Sequence, residues 1–152
     1  MMKLTVESNP RYKFAYIRSK GSYGDSNVQT MKRLKEWASE KSLLNPDSII
    51  LGIAWDDPSN TKAADCRYDT GIVVADIFEI CDKGIQTGEI EGGKYAIAEI
   101  DHTAEALQKV WANIFLELAE NSYKLDCSRP IMERYRARMI ASHKCEICIP
   151  IH

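Results

Sequence analysis

Glu133 is the residue of this sequence that is best suited to a chemical role. In an extended strand side chains alternate between two faces, so Ile131, Glu133 and Tyr135 are expected to share one side. A buried carboxylate between an aliphatic and an aromatic neighbour is costly unless it is protonated, paired, or open to a cationic ligand. The alternative is a glutamate at a strand edge, either in water or paired with Arg134 or Arg67.

Aromatic side chains that could surround this carboxylate are numerous. The candidates for a ligand-binding cavity, with Glu133, are Tyr16, Trp55, Tyr68, Tyr95, Trp111 and Tyr135. Aromatic faces around a carboxylate favour flat or cationic organic molecules through cation–π attraction. For Trp37, Trp111 and Phe115 we favour a second interpretation, which is packing between a helix and a sheet.

Two further groups of charged residues lend themselves to more than one interpretation. Arg67 and Asp69 are expected on one face of a strand, where they form a local ion pair or orient groups at the edge of a cleft. Arg134, Arg136 and Arg138 are expected along one side of a strand, as an ion-paired or solvated stripe or as a phosphate contact.

The sequence contains none of the common cofactor or nucleophile motifs. Cys145 and Cys148 are spaced as CxxC, but in a strand their sulfur atoms point to opposite faces, which suits neither zinc nor a redox disulfide. We therefore predict no metal site and no cofactor. Five cysteines, an odd number, also favour a reducing compartment.

Local patterns predict a sequence of strands and helices that could position these residues. The predicted strands are 13–18, 49–55, 68–77, 94–100, 131–136 and 145–151, and the predicted helices are 26–41, with a Ser26–Gln29 capping box, and one that starts after Thr103. Each half then has the order strand, helix, strand, strand. The prediction is an α+β fold of two β-α-β-β units with pseudo-two-fold symmetry, an antiparallel sheet, two helices on one face and a ligand cleft on the other.

Composition narrows the functional classes. The chain has 152 residues and a formal net charge of −2, which gives no overall electrostatic case for direct nucleic-acid binding. No segment resembles a membrane span or a secretion signal. We predict a cytoplasmic protein, monomeric or homodimeric, that forms one domain over residues 1–152, with half 1 at about 1–80 and half 2 at about 88–152.

Several segments, taken in order, resemble the gyrase-inhibitor-like (GyrI-like) small-molecule-binding superfamily, which includes effector-binding domains of AraC-type and multidrug-sensing regulators. They are Phe14–Arg18 with the Gly21–Gly24 loop, Asp56-Asp57-Pro58 leading to Arg67-Tyr68-Asp69, Gly92–Ala96, and Arg129–Tyr135. This resemblance implies that Glu133 is the pocket acid, which receives the positive charge of lipophilic cations among stacked aromatic side chains. We expect a free-standing domain, because the first predicted strand starts near the N-terminus, without an upstream DNA-binding domain.

The resemblance leaves three functions open. The first is binding of hydrophobic, cationic compounds in drug or toxin sensing or sequestration. The second is hydrolysis of cyclopropane-type electrophilic toxins, in which Glu133 activates water and a tyrosine such as Tyr16 donates a proton. The third is interaction with a protein partner such as DNA gyrase. Whether the protein is an enzyme stays open at this point, because a fold does not determine a function.

Overall fold

The computed structural model describes residues 3–23, 25–56, 59–79 and 82–152, and of Asp25 and Ser26 only the backbone. Its elements in chain order are β1 (Leu4–Asn9), β2 (Tyr12–Lys20), α1 (Asp25–Glu40), β3 (Ile49–Ala54), β4 (Arg67–Val74), β5 (Gln86–Ile90), β6 (Gly93–Asp101), α2 (Ala104–Glu120), β7 (Met132–Arg136), α3 (Ala137–Ile140) and β8 (Lys144–Pro150). The predicted α+β class is confirmed. The Ser26 capping box, Gly24, Asp57 and Pro58 lie outside the described residues or side chains.

The eight strands form one antiparallel sheet with the order β1-β6-β8-β7-β3-β4-β2-β5. The counterparts in the two halves are β1 and β5, β2 and β6, β3 and β7, and β4 and β8. When each strand is replaced by its counterpart, the result is the same strand order read from the other edge of the sheet. The pseudo-two-fold axis therefore passes between β3 and β7, where Gly52 is paired with Glu133 and Ile50 with Tyr135. Each half also contains one strand that the sequence patterns missed, β1 or β5, which pairs with the opposite half.

The two long helices, α1 and α2, lie on one face of the sheet. Leu34 and Ala38 of α1 pack on Ile50 and on residues of β2 and β4. On the other half, α2 packs on β6 and β8, and Ile114 is its most deeply buried residue. Thr103 caps α2 as predicted, since its hydroxyl oxygen accepts a hydrogen bond from the amide of Ala106 at 3.1 Å. Among the described residues, the helices are too short or too polar to cross a lipid bilayer.

The opposite face of the sheet is filled by its own core. The sheet curls, so that Phe14 from β2 and Tyr95 from β6 belong to one buried cluster together with Leu51, Met132 and Cys148. The prediction of a cleft on the face away from the helices is therefore wrong, because the curl of the sheet closes that face. That face packs against itself, and the cleft instead lies on the helical face.

Candidate functional site

A cleft of about 1480 Å³ opens between α1 and α2, above the central strands of the sheet. Its floor is formed by Ile50, Tyr68, Glu133 and Tyr135. Its walls include Val28 and Met31 from α1 and Leu107, Trp111 and Phe115 from α2. Small-molecule pockets commonly measure about 300–1,000 Å³, so this cleft has room for a large or elongated organic ligand.

Glu133 is half-buried at the floor of the cleft and is held by two tyrosines. The hydroxyl of Tyr135 donates to Oε2 of Glu133 at 2.5 Å, and the hydroxyl of Tyr68 donates to the same oxygen at 3.1 Å. No arginine or lysine of the described residues forms an ion pair with Glu133, and its Oε1 has no protein partner among them. Of the interpretations given above, pairing with Arg134 or Arg67 is thus wrong.

Both tyrosines are fixed as hydrogen-bond donors. Burial raises the pKa of Tyr68 and of Tyr135 well above the usual range for a phenol, and the nearby charge of Glu133 raises both further. At neutral pH both hydroxyls therefore keep their protons. Both hydroxyls therefore donate to the same oxygen of Glu133, and neither brings a positive charge to it.

Gly52 makes this arrangement possible, and the sequence patterns missed it. Tyr68 lies on β4 and Glu133 on β7, so the tyrosine must reach across β3, the strand between them. A Cβ atom at Gly52 would lie 2.2 Å from the Tyr68 hydroxyl and 3.2 Å from Oε2 of Glu133. The glycine is thus needed for space. One available signal was its position in an otherwise apolar strand, where an isolated glycine often marks a close approach.

Trp55 is anchored at the α1 end of the cleft. Its indole N–H donates to Oδ2 of Asp69 at 2.6 Å. Asp69 is only 1% exposed and receives two hydrogen bonds from the guanidinium of Arg18, at 2.7 and 2.8 Å. The predicted pair between Arg67 and Asp69 is therefore wrong, because Asp69 is taken by Arg18. Arg67 instead forms two hydrogen bonds of 3.0 Å with Asp56 at the edge of the cleft.

At the α2 end, a loop and a histidine complete the cleft. Asp126 accepts hydrogen bonds from Ser128 and from Arg129, whose guanidinium also donates to the carbonyl of Ile151. These contacts fix the backbone of the loop that leads into β7. The ring of His102 lies 5.4 Å from that of Tyr135, next to the carboxylate site.

Five of the seven predicted ligand-binding residues meet in this cleft. They are Glu133, Trp55, Tyr68, Trp111 and Tyr135. The placement of the other two, Tyr16 and Tyr95, is corrected by the structure. Both lie on the opposite face, where Tyr16 stacks on Phe14 at 4.7 Å and Tyr95 is fully buried. Tyr16 therefore has no contact with Glu133 and does not fit the role of proton donor beside it.

Two further expectations change with the packing. Phe115 is 51% exposed at the mouth of the cleft, so it is not a core residue, whereas Trp37 of α1 is partly buried and packs against the cluster between α1 and the sheet, as predicted. The predicted stripe of Arg134, Arg136 and Arg138 is divided. Arg134 is completely buried, Arg136 bonds the carboxylate that also pairs with Arg134, and Arg138 lies in α3.

Comparisons with known proteins agree with this architecture. The model of the GyrI-like small molecule binding domain matches residues 2–152. The SPbeta prophage-derived protein YosT of Bacillus subtilis (strain 168), provisionally named a transcriptional regulator, is 42% identical over 151 residues, or 99% of each chain. DNA gyrase inhibitor 2 of Dickeya dadantii (strain 3937) is 27% identical over 125 residues, covering 81% of this chain and 78% of its own.

Two solved structures resemble the fold at low sequence identity. The crystal structure of the EcmrR C-terminal domain has a TM-score of 0.76 at 12% identity and covers 100% of this chain and 98% of its own. The structure of SAV2435 bound to tetraphenylphosphonium has a TM-score of 0.62 at 13% identity, covering 99% and 94%. From the match over residues 2–152 and the 42% identical relative, the chain belongs to the family of GyrI-like small molecule binding domains.

Proposed function

We propose that this domain binds hydrophobic, positively charged small molecules in the cleft between α1 and α2, in the sensing or sequestration of drugs or toxins. The observation that carries the proposal is Glu133, a half-buried carboxylate with two tyrosine donors and no cationic partner among the described residues. A charge in this position gains most from a cation that enters the cleft.

The walls of the cleft suit the apolar part of such a ligand. Trp111 and Phe115 line one side, and Trp55, 37% exposed, lines the other. Aromatic side chains attract organic cations through their π faces and bury large apolar areas. SAV2435, which has a similar fold, has been solved with bound tetraphenylphosphonium, so this lipophilic cation is a suitable first probe.

Calorimetric titration with tetraphenylphosphonium tests the proposal directly. Glu133→Gln keeps the shape of the side chain and removes its charge, so we expect affinity to fall by at least about tenfold. Glu36→Gln is the matched control, because Glu36 is exposed on α1 and does not line the cleft. It should leave affinity unchanged. Tetraphenylborate, an anion of the same shape, should bind far more weakly to the wild-type protein.

Two results would refute this function. One is the absence of binding across a panel of lipophilic cations. The other is equal affinity of the wild-type protein and Glu133→Gln for tetraphenylphosphonium, with both proteins shown to be folded by circular dichroism. In either case the carboxylate does not act as a counter-charge.

Hydrolysis of a cyclopropane-bearing electrophile is a second candidate, favoured by the unpartnered Oε1 of Glu133. The carboxylate would take a proton from water as the water oxygen bonds to a ring carbon. The breaking carbon–carbon bond sends its electrons to a conjugated carbonyl, which receives a proton from Tyr68 or Tyr135. The raised pKa of these phenols suits hydrogen-bond donation better than proton release. Mass spectrometry for a ring-opened product distinguishes turnover from binding.

A relative named as a DNA gyrase inhibitor raises a third candidate, which is binding to gyrase. A supercoiling assay with purified gyrase tests it. Inhibition that persists in Glu133→Gln would assign the effect to a surface other than the cleft.

A further inference from the structure

The two helices present the same positions to the sheet but different chemistry to the cleft. An offset of 80 residues superimposes their buried positions, matching Leu34 with Ile114 and Ala38 with Leu118, all of which are at most 3% exposed. The pseudo-two-fold order of the strands supports this alignment. Where matched positions face the cleft, a difference in residue type is therefore a difference between the α1 wall and the α2 wall of the cleft.

These differences make the cleft chemically asymmetric. The cleft-lining residues of α1 include Val28, Met31 and Lys35, at spacings of three and four, which form one stripe of a helix. Under the same offset Met31 corresponds to Trp111 and Lys35 to Phe115. The α2 wall is therefore aromatic where the α1 wall carries an ammonium group.

Most charged groups of the cleft are already neutralised within the protein. Asp56 is paired with Arg67 at the α1 end, and Asp126 with Arg129 at the α2 end. Lys35 differs from them, since it has no hydrogen bond or ion pair with any described residue. Among the residues that the structure describes, two charges of the cleft thus lack an oppositely charged partner, the carboxylate of Glu133 on the floor and the ammonium of Lys35 on the α1 wall.

We propose that the preferred ligands of this cleft are amphoteric molecules with a cationic centre, an aromatic or apolar body and a separate anionic group. The cationic centre binds at Glu133, the aromatic body lies against Trp111 and Phe115, and the anionic group binds at Lys35. This inference rests on the proposed function and adds a requirement to it. A simple lipophilic cation uses only part of the site, because it leaves the Lys35 ammonium without a partner.

Two dyes with the same aromatic cation test the added requirement. Rhodamine B has a free carboxylate, whereas its ethyl ester lacks that negative charge. Fluorescence anisotropy of the wild-type protein should give a tighter dissociation constant for rhodamine B than for the ester, by about two- to fivefold, as expected for a solvent-accessible ion pair. Added salt should reduce this preference.

Three variants and a matched control separate the contributions of the two charges to binding. In Lys35→Met the two dyes should bind equally, and in Lys35→Glu the ester should be preferred. Lys32→Met is the matched control, because Lys32 is exposed on the same helix and does not line the cleft, so the preference should persist. Glu133→Gln should weaken both dyes by a similar factor and leave their ratio unchanged.

The outcomes distinguish this inference from the function beneath it. If both dyes bind through Glu133 with a ratio that Lys35→Met does not change, the amphoteric ligand is refuted and cation binding stands. If neither dye binds while tetraphenylphosphonium does, the amphoteric ligand is again refuted. If neither the dyes nor tetraphenylphosphonium binds, the proposed function fails and this inference fails with it.

Discussion

The substitution Gly52→Ala tests whether the hydrogen bond between Tyr68 and Glu133 depends on the space that Gly52 leaves above β3. The added methyl carbon would lie 2.2 Å from the hydroxyl oxygen of Tyr68 and 3.1 Å from its Cζ. Carbon and oxygen atoms do not approach so closely, so the hydroxyl must move by about 1 Å. That movement breaks the 3.1 Å hydrogen bond to Glu133, because Tyr68 donates from directly above the glycine.

The size of the effect follows from the terms involved. Losing a hydrogen bond to a charged group costs about 1.5–3 kcal/mol, and forcing extra volume into a packed region costs about 1–3 kcal/mol. Replacing glycine by alanine in a strand also stabilises the folded protein by about 0.5–1 kcal/mol, because the unfolded chain has less conformational entropy to lose. We therefore expect Gly52→Ala to lower the free energy of unfolding by about 1.5–5.5 kcal/mol and to weaken tetraphenylphosphonium binding.

A double-mutant cycle with Tyr68→Phe isolates this contact. Removing the hydroxyl removes the atom at 2.2 Å, so Gly52→Ala should cost at most about 1 kcal/mol in the Tyr68→Phe background. Urea denaturation of the four proteins gives the coupling free energy, which should be at least about 0.5 kcal/mol. Additive effects would refute the reasoning, because they would mean that alanine at position 52 disturbs the protein without touching the hydroxyl.

The remaining predictions concern the charges and thiols around the cleft. Arg134→Met should lower the free energy of unfolding by about 1.5–3 kcal/mol in urea denaturation, because the buried carboxylate of Glu146 loses its buried partner and keeps only the hydrogen bond from the part-exposed Arg136, and a loss below about 1 kcal/mol would contradict this. The exposed thiol of Cys127 lines the cleft, so tetraphenylphosphonium should slow its labelling by a thiol reagent, and Cys127→Ser should abolish the protected fraction. The hydrogen bonds from Arg67 hold the pKa of Asp56 at about 2, so the stability from this pair is present above about pH 4 and is lost as the pH falls through 2. Asp56→Asn should make the fall of the melting temperature over that range less steep, and an unchanged slope would argue against the pair.

The part of the site that follows strand alternation could be predicted from the sequence. Glu133 and Tyr135 share a face because they are two residues apart in one strand, and Arg134 points to the other face for the same reason. The contact between Tyr68 and Glu133 could not be predicted in this way. It depends on which strands are neighbours and on the space that Gly52 leaves between them, and neither property is local in the chain.

The misplacement of Tyr16 and Tyr95 has a related cause. Alternation indicates which residues share a face, but it identifies the face only when one side of the strand is polar. In β2 both faces are buried, since Phe14 packs in the curled core and Ala15 beneath α1. The strands β1 and β5 were missed for the opposite reason. Their residues are mostly exposed edge positions, so they have no apolar pattern to detect.

The way the protein treats its other enclosed carboxylates argues that Glu133 has a functional role. Asp69, 1% exposed, is bonded twice by Arg18, and Glu146, 8% exposed, is bonded by the buried Arg134. In both cases a guanidinium from the protein compensates the charge. Glu133 lies one residue from Arg134 on the same strand, yet its partners are two neutral hydroxyls. A carboxylate with only a structural role would gain more from a cation of its own, and this contrast supports the proposal that the ligand supplies the positive charge at Glu133.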